Sequence, residues 1–303
     1  MSTPDSELHF HPRRGTLWML LSLTCFSANA LQLKELASHR HVDPWMALTF
    51  RAVVGLVITI VFFAPSGSLK LRRSFQSWLL ASRGVLGALG TAAYYTTIGP
   101  LGAGKATLIG NTWTVFAAIM AAFVLHERLG WVKITGIAVA LSGLGLLTGM
   151  APGTLAQFGY HEMIALIGAV VAAAVVVVIR QLTRTESSAT IFASQCIYAV
   201  LLAVPIAAVN FTSLNTMDVT LLTLAALSAG VGQLAMTEGF RFLSVAAGGA
   251  FQMAVPLVIS LASITLFAET FTLAQAVGGA LVIWGGFQTV VGGRRKQIAS
   301  PPR

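Results

Sequence analysis

Long apolar windows dominate the pattern of hydrophobic and polar positions along the chain. The hydrocarbon layer of a bilayer is about 30 Å thick and needs about 20 apolar residues per helical span. Ten windows of that length occur between short connections: Thr16–Leu33, Pro44–Phe63, Trp78–Gly99, Ala106–Leu125, Trp131–Met150, His161–Ile179, Ala189–Val209, Val219–Thr237, Val245–Ala268 and Phe271–Val291. Spanning strands would alternate in polarity over about ten residues, and the unbroken run Ala165–Ile179 excludes them. The pattern predicts an all-α integral membrane protein with ten transmembrane helices.

The distribution of charge agrees with that class and adds an orientation. Only 10% of the 303 residues are charged and 56% are hydrophobic, whereas a soluble domain carries about 25% charged residues. Lys and Arg concentrate in the connections on one side, and the other side holds only Lys34, Arg40 and Lys105. The positive-inside rule then predicts cytoplasmic N- and C-termini in a bacterial-type inner membrane. The net charge of +9 reflects topology and anionic lipid rather than a nucleic-acid partner.

The polar stretch at residues 123–131, FVLHERLGW, has an echo at residues 265–273, TLFAETFTL. A glutamate and two following glycines recur at a constant offset of 142 residues, pairing Glu127 with Glu269, Gly136 with Gly278, and Gly143 with Gly285. Repeated features at a fixed period indicate a repeated structural unit. The chain is therefore predicted to hold two five-helix repeats, residues 16–150 and 151–292, between tails at 1–15 and 293–303.

Five is an odd number of spans, so the second repeat must enter the membrane from the opposite side. This inversion predicts Glu127 at the cytoplasmic face and Glu269 at the outer face. Inverted repeats are a common construction of secondary transporters, with the substrate site near the midplane between the halves. Rocking of one repeat against the other would open that site to each side in turn.

These motifs resemble the drug/metabolite transporter superfamily, and specifically its EamA-type ten-helix members. The resemblance rests on the two glutamate–glycine patterns, and the pairs Phe50-Arg51 and Arg83-Gly84 also resemble positions of bacterial members. It implies the ten-helix fold, and export of amino acids or related metabolites. Members often carry proline in both halves, whereas this chain has Pro256 in the second half and Thr114 at the matching position. A proline kink is therefore expected only in the ninth helix.

Polar residues inside spans are expensive and mark functional sites by default. The predicted substrate pathway comprises Arg51, Arg83, Tyr94, Tyr95, Asn111, Trp113, Thr114, Gln233, Glu238 and Gln252, and the predicted hinge and motif positions are Glu127, Glu269 and Pro256. Each has a structural alternative. The two arginines can snorkel to an interface, the hydroxyl, amide and aromatic groups can bond neighbouring helices, and Glu238 can pair with Arg241 one turn away. Gly136, Ala140 and Gly143 share one helix face and are predicted to permit close helix packing.

Several classes of function lack their sequence signals. The chain has no phosphate-binding glycine loop ending in Lys-Ser/Thr, no His-Glu-x-x-His motif, and no convergent catalytic groups. We therefore expect no enzyme activity, metal site or cofactor. The leading hypothesis is an alternating-access carrier in the lipid bilayer for a small organic metabolite, with protons as a candidate coupling ion. The alternatives are an uptake carrier for a vitamin, a nucleoside-like or another metabolite, and a membrane receptor or assembly protein that transports nothing.

Overall fold

The computed structural model describes residues 12–124, 130–148, 159–182, 185–210, 213–242 and 245–291. Twelve helices account for the regular structure of these ranges: α1 (Pro12–Ser38), α2 (Pro44–Phe63), α3 (Arg73–Gln76), α4 (Trp78–Leu101), α5 (Ala103–Asn111), α6 (Trp113–Val124), α7 (Trp131–Thr148), α8 (Tyr160–Leu182), α9 (Ser188–Val209), α10 (Thr216–Phe242), α11 (Val245–Phe267) and α12 (Leu273–Val291). The predicted all-helical class is confirmed for these residues. Glu127 lies outside the described residues.

Five of these helices are long and apolar enough to cross a membrane, judged by length and composition. They are Arg13–Ser38, Pro44–Phe63, Tyr160–Ile179, Ser188–Val209 and Thr216–Met236. Two shorter apolar helices span Trp131–Leu147 and Phe251–Phe267. The structure thus supports a multi-helix membrane protein, and the count of ten spans stays a prediction.

Short polar groups start several helices where the apolar windows begin. The Asp43 carboxylate accepts a hydrogen bond from Trp45 N at 2.7 Å, with Pro44 in the first turn of α2. Ser187 in the same way accepts from Thr190 N at 3.2 Å ahead of α9. Such caps satisfy amide groups that have no partner inside the helix. The windows that begin at Pro44 and Ala189 thus have their helix starts fixed by a capping side chain.

A helix irregularity that the sequence did not predict lies in the first half of the chain. The window that we predicted as the fourth span is divided at Thr112 into α5 and α6, whereas α11 continues through Pro256 as one helix. The Thr112 hydroxyl donates to Ile109 O at 2.6 Å, and the Thr112 amide donates to the same carbonyl at 3.1 Å. A threonine that bonds back to its own helix loosens the helical ladder. The proline kink expected in the ninth helix stays a prediction, and the break at Thr112 is an irregularity that the sequence did not predict.

Helices α7 and α12 approach each other so closely that a side chain at their glycine positions would collide with the backbone of the other helix. A Cβ atom on Gly143 would lie 2.6 Å from Gly278 O, and one on Gly136 would lie 2.8 Å from Gly285 O. Ala140 joins this contact, because a Cβ on Gly285 would approach Ala140 N to 2.5 Å. The prediction that these small residues serve close helix packing is confirmed. Elsewhere the largest buried cluster joins α1, α2, α4, α9 and α10 with α5 and α11.

Candidate functional site

A polar cluster surrounds Tyr95, a buried residue of α4. Its hydroxyl accepts hydrogen bonds from Asn29 Nδ2 on α1 at 3.4 Å and from Arg51 Nη1 on α2 at 3.3 Å. The Arg51 guanidinium carbon also lies 5.7 Å from the centre of the Tyr95 ring, within cation–π range. Asn29 donates to Ala225 O on α10 at 2.9 Å. The cluster therefore links three helices of the first half with one of the second.

A second buried cation lies where α4 contacts α9. Arg83 is 3% exposed and donates from Nη2 to Gln195 Oε1 at 2.8 Å. The Gln195 amide nitrogen donates in turn to Gly87 O at 3.3 Å and to Thr91 Oγ1 at 3.0 Å. Arg51 is near enough for the two arginine charges to interact. The structure thus places Arg83 at the contact with α9, which belongs to the second half.

The other predicted pathway residues form two smaller groups. The Tyr94 hydroxyl is 2.9 Å from Thr107 Oγ1, and its ring meets Tyr95 edge-on. Asn111 Nδ2 lies 3.4 Å from Gln252 O. That carbonyl is one turn before Pro256, which has no amide hydrogen to give it. The polar side chain of α5 therefore approaches the backbone group that the proline leaves free.

Thr114 and Trp113 begin α6 beside this second group. The Thr114 hydroxyl donates to Asn111 O at 3.2 Å and is 3.9 Å from Met253 Sδ. Trp113 is half-buried. Gln233 and Glu238 lie further along α10, and Glu238 lines a cavity that contains none of the other predicted residues. The predicted pathway residues therefore come together as neighbouring groups rather than as one pocket.

Charged residues of both halves meet at one end of the bundle, which we call the Glu269 end (Lys34, Lys105, Glu162 and Glu269). The Glu269 carboxylate accepts from Ala103 N at 2.9 Å and Gly104 N at 3.3 Å, which caps α5. Its Oε1 is 3.5 Å from Lys34 Nζ. Lys105 Nζ is 2.7 Å from Glu162 Oε1. A cavity of about 340 Å³ lies between these groups.

The backbone has a positive φ on both sides of the Glu269 contact, at Ala268 and at Gly102. Ala268 has a φ of 49°, in the left-handed region that residues with a side chain seldom adopt. Gly102 has a φ of 83°, and a Cβ there would lie 2.5 Å from Glu269 Oε1. The turn after α11 is therefore held in an unfavourable conformation that brings the carboxylate onto the start of α5.

The opposite end of the bundle also joins the two halves, and we call it the Glu186 end (Ser68, Arg73, Glu186 and Ser187). Arg73 Nη1 is 2.8 Å from Glu186 Oε1. Ser187 Oγ donates to Ser68 O at 2.5 Å. The cavity that Glu238 lines, about 300 Å³ in volume, lies beside the two serines. Both ends are thus closed by contacts that involve charged or hydroxyl side chains.

Sequence reasoning missed several of these residues. Gln195 is a polar residue inside the window Ala189–Val209, and that position was the signal that could have found it. Lys34 and Lys105 were noted only as two of the three cations on the predicted outer side. The third, Arg40, lies 2.9 Å from Asp218 Oδ1. Each of these cations pairs with an acidic residue of the second half, which the count of charges did not reveal.

The comparison with known families decides the class of the chain. The sequence model of the EamA-like transporter family matches residues 13–149 and again residues 160–290. The chain belongs to the EamA-like transporter family. It is therefore a multi-pass membrane protein of the drug/metabolite transporter superfamily, as the motifs predicted.

Individual relatives of this EamA-like protein carry names that concern transport. An S-adenosylmethionine uptake transporter of Rickettsia prowazekii is 22% identical over 288 residues, covering 94% of this chain and 95% of that protein. The pseudopaline exporter CntI of Pseudomonas aeruginosa is 24% identical over 229 residues, covering 75% and 78%. A solved crystal structure superposes with a TM-score of 0.67 at 19% identity, covering 93% of this chain and 99% of its own, which shows the fold alone. The family and its named members are transporters, not enzymes.

Proposed function

We propose that the chain is a secondary transporter that moves a small organic metabolite by alternating access between its two halves. One observation carries the proposal: the halves meet through polar contacts at both ends of the bundle, with buried polar clusters between those ends. Contacts between charged or hydroxyl groups can be exchanged for contacts with water when one end opens. The Glu269 end and the Glu186 end are then the two closures, and the Tyr95 cluster lies on the path between them.

We further propose that the halves are inverted five-helix repeats, residues 16–150 and 151–292. Reciprocal contacts support this arrangement. A shift of 142 residues turns the contact between Gly136 and Gly285 into the contact between Gly278 and Gly143, and a Cβ on either member of each pair would meet backbone of the other. The family model also matches twice along the chain. The excess of Lys and Arg in one set of connections supports cytoplasmic termini in a bacterial inner membrane.

The substrate class that we propose is an amino acid or a related metabolite, and the direction that we favour is export. A relative named as an exporter supports the direction, while a relative named for S-adenosylmethionine uptake supports an amino-acid derivative and the opposite direction. Among the pathway residues, Arg51 and Tyr95 offer cation, hydroxyl and ring contacts to such a molecule. Glu238, beside the cavity at the Glu186 end, is the acidic candidate for proton coupling.

Counterflow in liposomes tests the function directly. Purified protein is reconstituted with one unlabelled metabolite inside, and uptake of the same labelled metabolite is followed over a panel of amino acids and their derivatives. We expect exchange above that of protein-free vesicles for at least one solute. The Tyr95→Phe variant should exchange more slowly, because Asn29 and Arg51 lose a shared acceptor. A panel in which no solute exchanges faster than in protein-free vesicles refutes the transporter.

A further inference from the structure

Arg83 is buried in the contact between α4 and α9 with most of its hydrogen-bonding capacity unused. Within the described ranges only Nη2 has a hydrogen-bond partner, Gln195 Oε1. Nε and Nη1 are both buried and have no hydrogen-bond partner among the described residues. A guanidinium cannot lose its charge to escape this situation. Its free N–H groups therefore call for an acceptor that the described part of the chain does not supply.

The charges around Arg83 make the missing acceptor an anion. Neither Arg83 nor Arg51 has a carboxylate within 4.0 Å among the described residues, whereas Arg40 and Arg73 each form an ion pair with an acidic residue of the second half. Arg51 adds a like charge nearby. Buried cations are normally paired, because an isolated buried charge is costly. Two cations that have no counter-ion in the described part of the chain, in a sequence that is 10% charged, form an anion-binding environment.

Two glycines of α4 leave the space that the Arg83 guanidinium and α9 occupy. A Cβ on Gly87 would collide with Arg83 Nη1 and would lie 3.0 Å from Gln195 Cγ. A Cβ on Gly84 would lie 2.9 Å from Ser194 Oγ. Glycine at these two positions therefore gives the guanidinium and α9 the room that they occupy. Gln195 holds the arginine with a neutral oxygen, which orients the group without cancelling its charge.

We propose that Arg83, with Arg51 as the second cation, binds the carboxylate of the transported metabolite, and that Gln195 positions the Arg83 guanidinium. The inference rests on the proposed transport function and narrows its substrate class to molecules that carry a carboxylate. A guanidinium suits this group because its planar N–H fork matches two carboxylate oxygens. In the present conformation the site is closed by α9, so the carboxylate reaches Arg83 when one end of the bundle opens.

The first test replaces the substrate group and keeps the protein. Counterflow is measured for amino acids and for the matching carboxamides, which have a similar shape and no carboxylate. Thermal stability in detergent is measured with sodium acetate, sodium chloride and acetamide. We expect exchange of carboxylates only, and stabilisation by acetate beyond that given by chloride or acetamide, since a ligand that binds the folded state raises its stability. Carboxamides that exchange as fast as the acids overturn the inference and leave the transporter intact.

The second test supplies an internal carboxylate. Gln195→Glu places one against Arg83, so we expect a higher melting temperature, no further gain from acetate, and loss of exchange. A structural arginine that merely lacks a partner would give the same gain in stability with exchange preserved, and that result overturns the inference.

Arg83→Lys keeps the charge and removes the planar fork, and should slow exchange about tenfold or more. Arg14→Lys makes the same chemical change at an exposed position of α1 and should exchange at the parent rate. Equal rates for the two lysine variants also overturn the inference, and this comparison holds if the Gln195→Glu protein does not fold. Absence of exchange for every solute in the parent protein overturns the transport function itself.

Discussion

Replacing Glu269 by glutamine tests whether its carboxylate closes one end of the bundle. The substitution keeps the shape of the side chain and removes its charge. Glu269 accepts two amide hydrogens at the start of α5 and lies 3.5 Å from Lys34 Nζ. Both members of that ion pair are mostly buried, with side chains 14% and 13% exposed. The contact therefore lies in surroundings where water screens the charges weakly.

The expected loss follows from these contacts. Hydrogen bonds to a charged group contribute about 1.5–3 kcal/mol and neutral ones about 0.5–1.5 kcal/mol. A negative charge at a helix N-terminus contributes a further 0.3–1 kcal/mol or so. Weakening two bonds and removing the charge should thus cost on the order of 2 kcal/mol of closure at the Glu269 end, which is a roughly 30-fold shift towards the open arrangement.

Labelling of a cysteine at position 260 measures this shift. Ser260 of α11 is packed against Gly104, and its hydroxyl is buried without a hydrogen-bond partner among the described residues. Ser260→Cys is therefore a nearly isosteric reporter beneath the cap. It is introduced after Cys25→Ser and Cys196→Ala remove the free cysteines.

We expect Glu269→Gln to raise the rate of labelling by a membrane-impermeant maleimide by up to about 30-fold. The labelling rate of the fully open state sets the upper limit. Glu35→Gln is the matched control, because Glu35 is a more exposed carboxylate whose partner, His39, directly follows the same helix. It should label at the parent rate. Equal labelling of the Glu269→Gln variant and its parent would refute the closing role of this carboxylate.

Two further predictions concern stability, measured as thermal unfolding in detergent. Gly143→Ala places a methyl group 2.6 Å from Gly278 O, so it should cost about 1–3 kcal/mol of stability and lower the melting temperature by several degrees. The control Gly130→Ala, with no atom within 4 Å of the added methyl group, should leave the melting temperature unchanged. Equal effects of the two substitutions would refute close packing. Asp218→Ala should lower the melting temperature more than Arg40→Ala does, because Asp218 accepts the Asn215 amide hydrogen in addition to pairing with Arg40. The reverse order would contradict this account.

The sequence predicted the helices because lipid imposes one requirement on every span, about 20 apolar residues whose backbone bonds are all internal. The sequence did not predict the division at Thr112. Proline is a recognisable sequence signal for a helix break, whereas a threonine that bonds back to Ile109 is not. Thr and Ser occur throughout the windows, and only the local geometry decides which of them interrupts a helix.

The site was predictable as a set of residue types and not as a set of contacts. Polar residues in apolar windows identified Arg51, Arg83 and Tyr95. Their partners lie 44 to 112 residues away along the chain, at distances that helix periodicity cannot reach. The recurrence of the Glu269 motif showed that this position matters to the architecture, yet the amide groups that it caps are 165 and 166 residues away.

Substitutions at the crossing of α7 and α12 should affect the amount of protein in the cell rather than its transport rate. Backbone meets backbone at Gly136 and Gly143, so no layer of side chains exists on which the two helices could slide. We therefore expect this crossing to stay in contact and to serve as the pivot about which the rest of the two halves move. A substitution at this crossing should lower the amount of protein that accumulates in the membrane and leave the turnover of each surviving molecule unchanged. Expression level and turnover number, measured separately, would distinguish such a lesion from one on the substrate path.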